Sequence, residues 1–279
     1  MSADLFGFDA FSPREIARKV ETIGVGKARL PLLTMLLLAM LAGAFIGLGA
    51  LFFTLVRADA TLGFATAQVL GGLVFSLGLI LVVVAGAELF TGNNLLAMAW
   101  AGRRISTGEL LRNWVVVALG NLAGAAGLAL LVVLAGHGDL NDGAVGETYL
   151  RIATAKVALP FWTAFFRGVL CNVLVCMAVW MSIAGRSVTD KVLAIVFPIS
   201  AFVAAGFEHS VANMYFIPVA MLLQWTGAVE GWPAITVAGF LGNLLPVVLG
   251  NLAGGSLLVG AVYWVIYLRD PAARATPPP

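Results

Sequence analysis

The sequence predicts an all-α integral membrane protein with six transmembrane helices, which form two inverted three-helix repeats with helices 2 and 5 broken. Of the 279 residues, 61% are hydrophobic and 11% are charged, whereas a soluble domain carries about a quarter charged residues. The apolar runs are near or above the ~20 residues that a helix needs to cross a bilayer. Two matched interruptions and an internal repeat predict how the six helices are arranged.

Residues 1–30 are predicted to form an N-terminal tail that carries a short amphipathic helix. Residues 12–15, Ser-Pro-Arg-Glu, have the pattern of a capping box with proline at the first helical position. Residues 16–23 place apolar side chains on one face, and Gly24 and Gly26 are expected to end the helix. Such a helix either lies passively on the lipid headgroups or acts as a plug or gate, and the residues leave both possibilities open.

The predicted transmembrane channel domain comprises residues 31–268, and a Pro- and Ala-rich C-terminal tail, expected to be disordered, follows at 269–279. The polar segment between the third and fourth spans is expected to be a loop. The spans themselves are predicted at 31–56, 64–87, 114–135, 160–184 and 192–225, with a sixth that ends at residue 268.

The distribution of basic residues predicts the orientation in the membrane. With both termini inside, twelve Lys and Arg residues lie on the cytoplasmic side, three lie outside, and Arg167 lies within the fourth span. Cytoplasmic loops carry the excess of basic residues, so we expect both termini to be cytoplasmic. The three outer residues are Arg57, Arg151 and Lys156.

An internal repeat supports the two-half arrangement. Residues 113–125 and 243–255, which are 130 positions apart, are identical at eight of thirteen positions. Three helices in each half would make the two halves enter the membrane from opposite sides. In proteins with such inverted repeats, polar sites collect near the midplane, where the broken helices meet.

The two interruptions share one spacing. Glu88 and Asn93, and again Glu208 and Asn213, are separated by four residues, and the two motifs are 120 positions apart. Broken helices leave unpaired backbone groups, which are tolerated only beside protein or water. The new half-helices, expected to begin near residues 94 and 214, present N–H groups that suit a small anion. Asn93 and Asn213 are expected to cap them.

Within residues 192–229, Glu208 and His209 are the only residues of the acidic, basic and histidine types. Two adjacent titratable groups in the middle of a span are costly unless they face a cavity or a partner. They are interpreted either as a functional site or as a buried polar pair that ties helices together.

The residues of these interruptions resemble a known family. Residues 86–93, Gly-Ala-Glu-Leu-Phe-Thr-Gly-Asn, and residues 206–213, Gly-Phe-Glu-His-Ser-Val-Ala-Asn, resemble the two signature loops of the formate/nitrite transporter family. Other stretches are most similar to its formate channels. The resemblance implies an aquaporin-like protomer with its own pore, a homopentamer, and a multi-pass location in the bacterial inner membrane.

The resemblance also implies the solute and the site. Family members conduct small monovalent anions such as formate, nitrite, hydrosulfide, acetate or lactate. By resemblance, the pore residues are the central histidine His209, the loop threonine Thr91, the asparagines Asn172 and Asn251, and the vestibule lysine Lys156. The implied hydrophobic constrictions are Phe75, Leu79, Leu89, Phe90 and Phe202.

We expect His209 to assist passage by hydrogen bonding or by protonating the anion, because its imidazole titrates near neutral pH. Thr91 is expected to donate a hydrogen bond opposite it, and Glu208 either orients the imidazole or only packs the loop. The alternative interpretation of Lys156 is an ordinary loop lysine. Arg167 is expected to pair between protomers or to extend outward, with a pore role as the alternative.

Other function classes are less well supported. The sequence has no HExxH, GxSxG or P-loop pattern, so an enzyme is not expected, and Cys171 and Cys176 have no nearby metal ligands. We expect no metal and no cofactor, and a net charge of +2 is too small to suggest nucleic acid. The alternatives kept open are a nitrite or hydrosulfide transporter of the same family and an added docking role for the N-terminal helix. A pore histidine and a vestibule lysine argue against a channel for water or neutral solutes, because neither residue aids a neutral solute much.

Overall fold

A computed structural model describes residues 10–229 and 231–270, which form helices joined by short connections and include no strand. The predicted tails therefore fall partly outside the described residues, at 1–9 and 271–279. The α-helices are α1 Pro13–Ala28, α2 Leu32–Arg57, α3 Phe64–Phe75, α4 Leu77–Leu81, α5 Ala97–Ala101, α6 Thr107–Leu134, α7 Ala144–Val157, α8 Phe161–Ala184, α9 Val188–Ala204, α10 Ser210–Trp225, α11 Val237–Leu252 and α12 Val262–Tyr267.

Five helical stretches in the described ranges are long and apolar enough to cross a membrane: Leu32–Arg57, Phe64–Gly86, Thr107–Leu134, Phe161–Ala184 and Val237–Tyr267. The last of these contains a π-helical segment, Ala253–Ala261, between α11 and α12. The predicted fifth span is divided into α9 and α10, of 17 and 16 residues. Each of those is shorter than the ~20 residues that a helix usually needs to cross a bilayer.

Both predicted interruptions are present. After α4, a π-helical turn at Val82–Gly86 ends in an extended stretch, and a 3-10 turn at Gly92–Leu96 leads into α5. Gly86 and Gly206 begin the two interruptions with φ angles of +84° and +71°. Such angles favour glycine because a side chain is strained there, so the two loops leave their helices by the same backbone turn.

The N-terminal helix differs from the prediction. The capping box at Ser12 and Glu15 is present, but α1 continues through Gly24 and Gly26 to Ala28. Gly24 lies close to Ala99, since a Cβ built on it would be 3.3 Å from that side chain. This close packing compensates for the weak helix propensity of glycine. The apolar face of α1 is buried against protein, around Leu95, Met98, Cys176 and Trp180.

The prediction of a loop between the third and fourth spans is also wrong for most of that segment, because residues 144–157 form α7. Val145, Tyr149 and Ala153 recur every four residues on its buried face, where they pack against α10. His137, in the same predicted loop, is half-buried with its ring 6.0 Å from that of Tyr149. Burial lowers the pKa of His137.

Candidate functional site

A hydrogen-bonded frame surrounds the second interruption. Lys156 Nζ donates to Glu208 Oε1 at 2.9 Å, and Asn213 Nδ2 donates to Glu208 Oε2 at 2.7 Å. Asn213 Nδ2 also donates to Asn243 Oδ1 at 2.7 Å, and Asn243 Nδ2 donates to the carbonyl oxygen of Lys156 at 2.8 Å. The frame joins α7, the broken span and α11, so Glu208 has a charged partner for its buried carboxylate.

The first interruption has the same frame, built from Lys27, Glu88, Asn93 and Asn113. Lys27 Nζ donates to Glu88 Oε1 at 2.8 Å, and Asn93 Nδ2 donates to Glu88 Oε2 at 2.7 Å and to Asn113 Oδ1 at 3.0 Å. Asn113 Nδ2 donates to the carbonyl oxygen of Lys27 at 3.2 Å. Sequence reasoning placed Lys27 in the tail and missed it, although it precedes Lys156 by 129 positions, close to the repeat offset of 130.

Two further asparagines hold the loops. Asn251 accepts the N–H of Ser210 at 2.9 Å and donates to the carbonyl oxygens of Glu208 and Gly168 at 3.0 and 2.8 Å. Its amide therefore clamps the peptide groups on both sides of His209. Asn121 makes the same three bonds in the first half, to the N–H of residue 90 and the carbonyl oxygens of residues 88 and 39.

The half-helix after the second interruption begins at Ser210 and is capped by His209. His209 Nδ1 accepts the backbone N–H of Ala212 at 3.1 Å. The side chains of Asn93 and Asn213 bond to the glutamates and to the neighbouring asparagines instead, so the prediction that they cap the half-helices is wrong. The carboxylates compete successfully for the two amides because they are buried and need donors.

The cap determines the tautomer of His209. A backbone N–H can only donate, so Nδ1 carries no proton and the neutral ring is protonated at Nε2. Nε2 lies 3.0 Å from Thr91 Oγ1, which accepts this N–H. The hydroxyl hydrogen of Thr91 is then free to donate to another group. The two interruptions thus meet at one polar contact, in which both side chains are buried.

Two cavities approach this contact from opposite sides. The α1 cavity, of about 1410 Å³, is lined by α1 and by Lys27, Glu88, Leu79 and Leu89. The α7 cavity, of about 230 Å³, is lined by Lys156 and Glu208 and ends at Phe75, Phe202 and His209. None of the described residues lines both cavities. We call the five buried side chains between them the septum: Phe75, Leu79, Leu89, Phe202 and His209.

The rings of the septum pack closely. The Phe75 and Phe202 centroids are 5.7 Å apart in an edge-to-face arrangement, and Phe202 stacks on His209 at 5.8 Å. Phe90, predicted as a constriction residue, lines neither cavity, and its backbone N–H is held by Asn121. The septum therefore presents apolar surface with the His209–Thr91 contact as its polar group.

Asn172 and Asn251, predicted as pore residues, also line neither of these cavities. Asn172 Nδ2 lies within hydrogen-bonding distance of Asn94 Oδ1 at 2.7 Å and of the carbonyl oxygens of Asn251 and Thr91 at 2.7 and 3.3 Å. Both asparagines contact the backbone of the interruptions. In this structure they therefore hold the backbone at Thr91 and beside His209.

Comparison with known proteins assigns the chain to a family. The model of the formate/nitrite transporter family matches residues 14–265. The chain belongs to the formate/nitrite transporter family. It is 43% identical over 275 residues to the formate channel FocA of Escherichia coli (strain K12), covering 94% of this chain and 96% of that protein. It is 38% identical over 263 residues to the formate channel FocA of Haemophilus influenzae, covering 90% and 93%.

A solved structure described as a pentameric formate channel with formate bound is similar to this structure, with a TM-score of 0.79 at 39% identity, covering 85% of this chain and 98% of that one. Family membership and the five apolar helical stretches make this chain a multi-pass membrane protein of a transporter family. The resemblance identified from the two interruptions is confirmed.

Proposed function

We propose that this protein is a transmembrane channel or transporter for formate and similar small monovalent anions of weak acids. The observation that carries the proposal is the His209–Thr91 contact at 3.0 Å, enclosed by the apolar septum between two cavities. The named relatives are formate channels. We further propose a homopentamer in which each protomer has its own pore, by similarity to the pentameric formate channel.

The proposed topology has six spans in two inverted repeats, with α9 and α10 together forming the fifth span, and an aquaporin-like protomer. The two matched frames support it, since each joins a lysine, a glutamate and two asparagines by the same bonds. With both termini in the cytoplasm of a bacterial cell, the α1 cavity faces the cytoplasm and the α7 cavity faces outward.

The septum determines what can pass. A bare anion that leaves water for apolar surroundings loses several kcal/mol of solvation, and the same desolvation favours the neutral form of a weak acid. We therefore assign passage to the neutral acid, which takes up a proton from water at one edge of the septum and returns it to water at the other. Formate and the related anions accept protons readily, whereas chloride does not.

His209 acts in this proposal as a neutral hydrogen-bond donor to Thr91 Oγ1, which leaves the hydroxyl hydrogen of Thr91 for the anion. Donation of the Nε2 proton to the anion would leave an imidazolate, because Nδ1 is occupied by the N–H of Ala212. Protonation at Nδ1 would break that cap. The geometry thus favours hydrogen bonding over proton transfer, and Thr91 offers its hydroxyl hydrogen on the same side.

Nitrite or hydrosulfide transport through the same septum is the second candidate function, since both are anions of weak acids. We propose no enzymatic activity for the chain and no resident cofactor or metal for the site. The proposed partners of the protein are the anion, the lipid bilayer and further copies of the chain.

Solute uptake by the purified protein in liposomes tests the proposal. Labelled formate, nitrite and hydrosulfide are compared at one pH below and one above neutrality. We expect formate to enter faster than into protein-free liposomes, and faster at the lower pH. Entry of all three solutes at the protein-free rate would contradict the proposed function.

A further inference from the structure

The two cavities are built from matched positions, but one matched pair differs in charge. The N–H of Glu88 donates to the carbonyl oxygen of Leu38 at 3.2 Å, and the N–H of Glu208 donates to that of Arg167 at 3.3 Å. Leu38 and Arg167 therefore occupy equivalent places beside the two interruptions. Leu38 lines the α1 cavity and Arg167 lines the α7 cavity.

Two other pairs of basic positions near the cavities match between the two halves, and the α1 cavity has four further charged residues in its lining: Glu15, Arg18, Lys19 and Lys191. Lys27 corresponds to Lys156, and each forms an ion pair with the glutamate of its interruption. Arg57 in the α7 cavity and Arg186 in the α1 cavity lie 129 positions apart, as Lys27 and Lys156 do. The guanidinium of Arg167 is thus a charge that the α1 cavity lacks at the equivalent place.

Arg167 is available to a ligand. Its side chain is exposed, and among the residues that the structure describes it has no ion pair and no side-chain hydrogen bond. Lys156, by contrast, is occupied by Glu208 at 2.9 Å, so that pair adds no net charge to the cavity. Arg167 lies two turns into a membrane-length helix, where an ionisable residue is costly and is usually functional.

We infer that Arg167 binds the incoming anion in the α7 cavity and selects anions that carry two oxygen atoms on one centre. A guanidinium offers parallel N–H donors that match a carboxylate or nitrite in a two-point contact, whereas an ammonium acts as a point charge. Hydrosulfide has one acceptor atom and gains only the charge attraction. This inference rests on the proposed function and adds a specificity-determining residue to the same pore.

The test separates the shape of the guanidinium from its charge. Uptake of formate and of hydrosulfide is measured from the side of the α7 cavity, at low ionic strength, for the wild type, Arg167→Lys and Arg167→Gln. At contact distance in water, loss of one charge corresponds to about a five-fold loss of affinity. We expect Arg167→Gln to raise the KM by about that factor for both solutes. Arg167→Lys should raise the KM for formate alone.

Two controls make the assay specific. Arg269→Gln removes an exposed positive charge that lines neither cavity and should change no KM. Leu38→Arg places a guanidinium in the α1 cavity and should lower the KM for formate entering from that side. High salt, at which the Debye length falls to ~3 Å, should remove most of the Arg167→Gln effect on hydrosulfide.

The outcomes distinguish this inference from the proposed function. Absence of wild-type formate and hydrosulfide uptake would contradict the proposed function itself. Normal wild-type uptake with an unchanged KM in Arg167→Gln would overturn only the role of Arg167. Loss of the oligomer in Arg167→Gln, seen by native mass spectrometry, would instead assign this side chain to contacts between protomers and would also overturn the inference.

Discussion

Removing Lys156 should destabilise the protein more than removing Lys27, although the two residues have matched positions. Either substitution to methionine leaves a buried carboxylate without its cation, on Glu208 or on Glu88. The side chains of those glutamates are 5% and 6% exposed. Breaking a buried ion pair by removing one partner costs about 3–5 kcal/mol, so the starting penalties are alike.

The two lysine substitutions should differ in cost because the two ion pairs face cavities of different size. The side chain of Lys156 is 14% exposed and that of Lys27 is 29% exposed. The α7 cavity holds about 230 Å³ and the α1 cavity about 1410 Å³. Water can therefore hydrate the abandoned Glu88 more fully than Glu208, and solvation reduces the value of an ion pair toward ~1 kcal/mol. We expect a loss of about 3 kcal/mol for Lys156→Met and about 1–2 kcal/mol for Lys27→Met.

Unfolding of the purified protein in detergent, followed by tryptophan fluorescence, measures these losses. The double variants Lys156→Met/Glu208→Gln and Lys27→Met/Glu88→Gln serve as controls, because removal of both charges should restore most of the stability. Equal losses for the two lysine variants, or no recovery in the Lys156 double variant, would refute the reasoning.

Three further predictions concern the loops and the helix packing. His209→Asn should keep the fold, because asparagine can accept the N–H at the cap, but should slow formate uptake at least ten-fold, whereas His209→Phe should also lower the unfolding midpoint. Asn251→Leu should slow uptake more than Asn121→Leu at similar stability, since only the former frees the peptides beside the histidine. Gly124→Val should prevent folding, because its Cβ would collide with the carbonyl oxygen of residue 40. Gly127→Ala should be tolerated, because a Cβ at that position has no described atom within 4 Å. The yield of detergent-soluble protein measures the effect of both substitutions.

The features that the sequence predicted well have local signals. The breaks at Gly86 and Gly206 follow from glycines and from carboxylates inside apolar runs. The repeat at 113–125 and 243–255 can be recognised because its two copies share identical residues. It contains the asparagines that hold both loops. A short-range pattern was enough in these cases because the membrane restricts the backbone to helices wherever it is not enclosed by protein or water.

The features that it missed depend on distant contacts. Lys27 lies in a segment with the charge of a tail, and its partner Glu88 is 61 residues away. The polar composition of residues 144–157 is typical of a loop. Their four-residue apolar spacing produces a stable helix only because that apolar face is buried against α10. His209 caps a helix although asparagine is the more usual cap, because α10 begins at Ser210 and so places Asn213 inside the helix.

Passage through the septum as a neutral acid is measured most directly by recording formate uptake and internal pH together, in liposomes that contain a trapped pH dye. We predict that each formate enters with one proton, so that the lumen acidifies as formate accumulates and an imposed membrane voltage does not change the rate. Formate entry that follows the voltage, without acidification, would show that the bare anion crosses and would contradict the proposed mechanism.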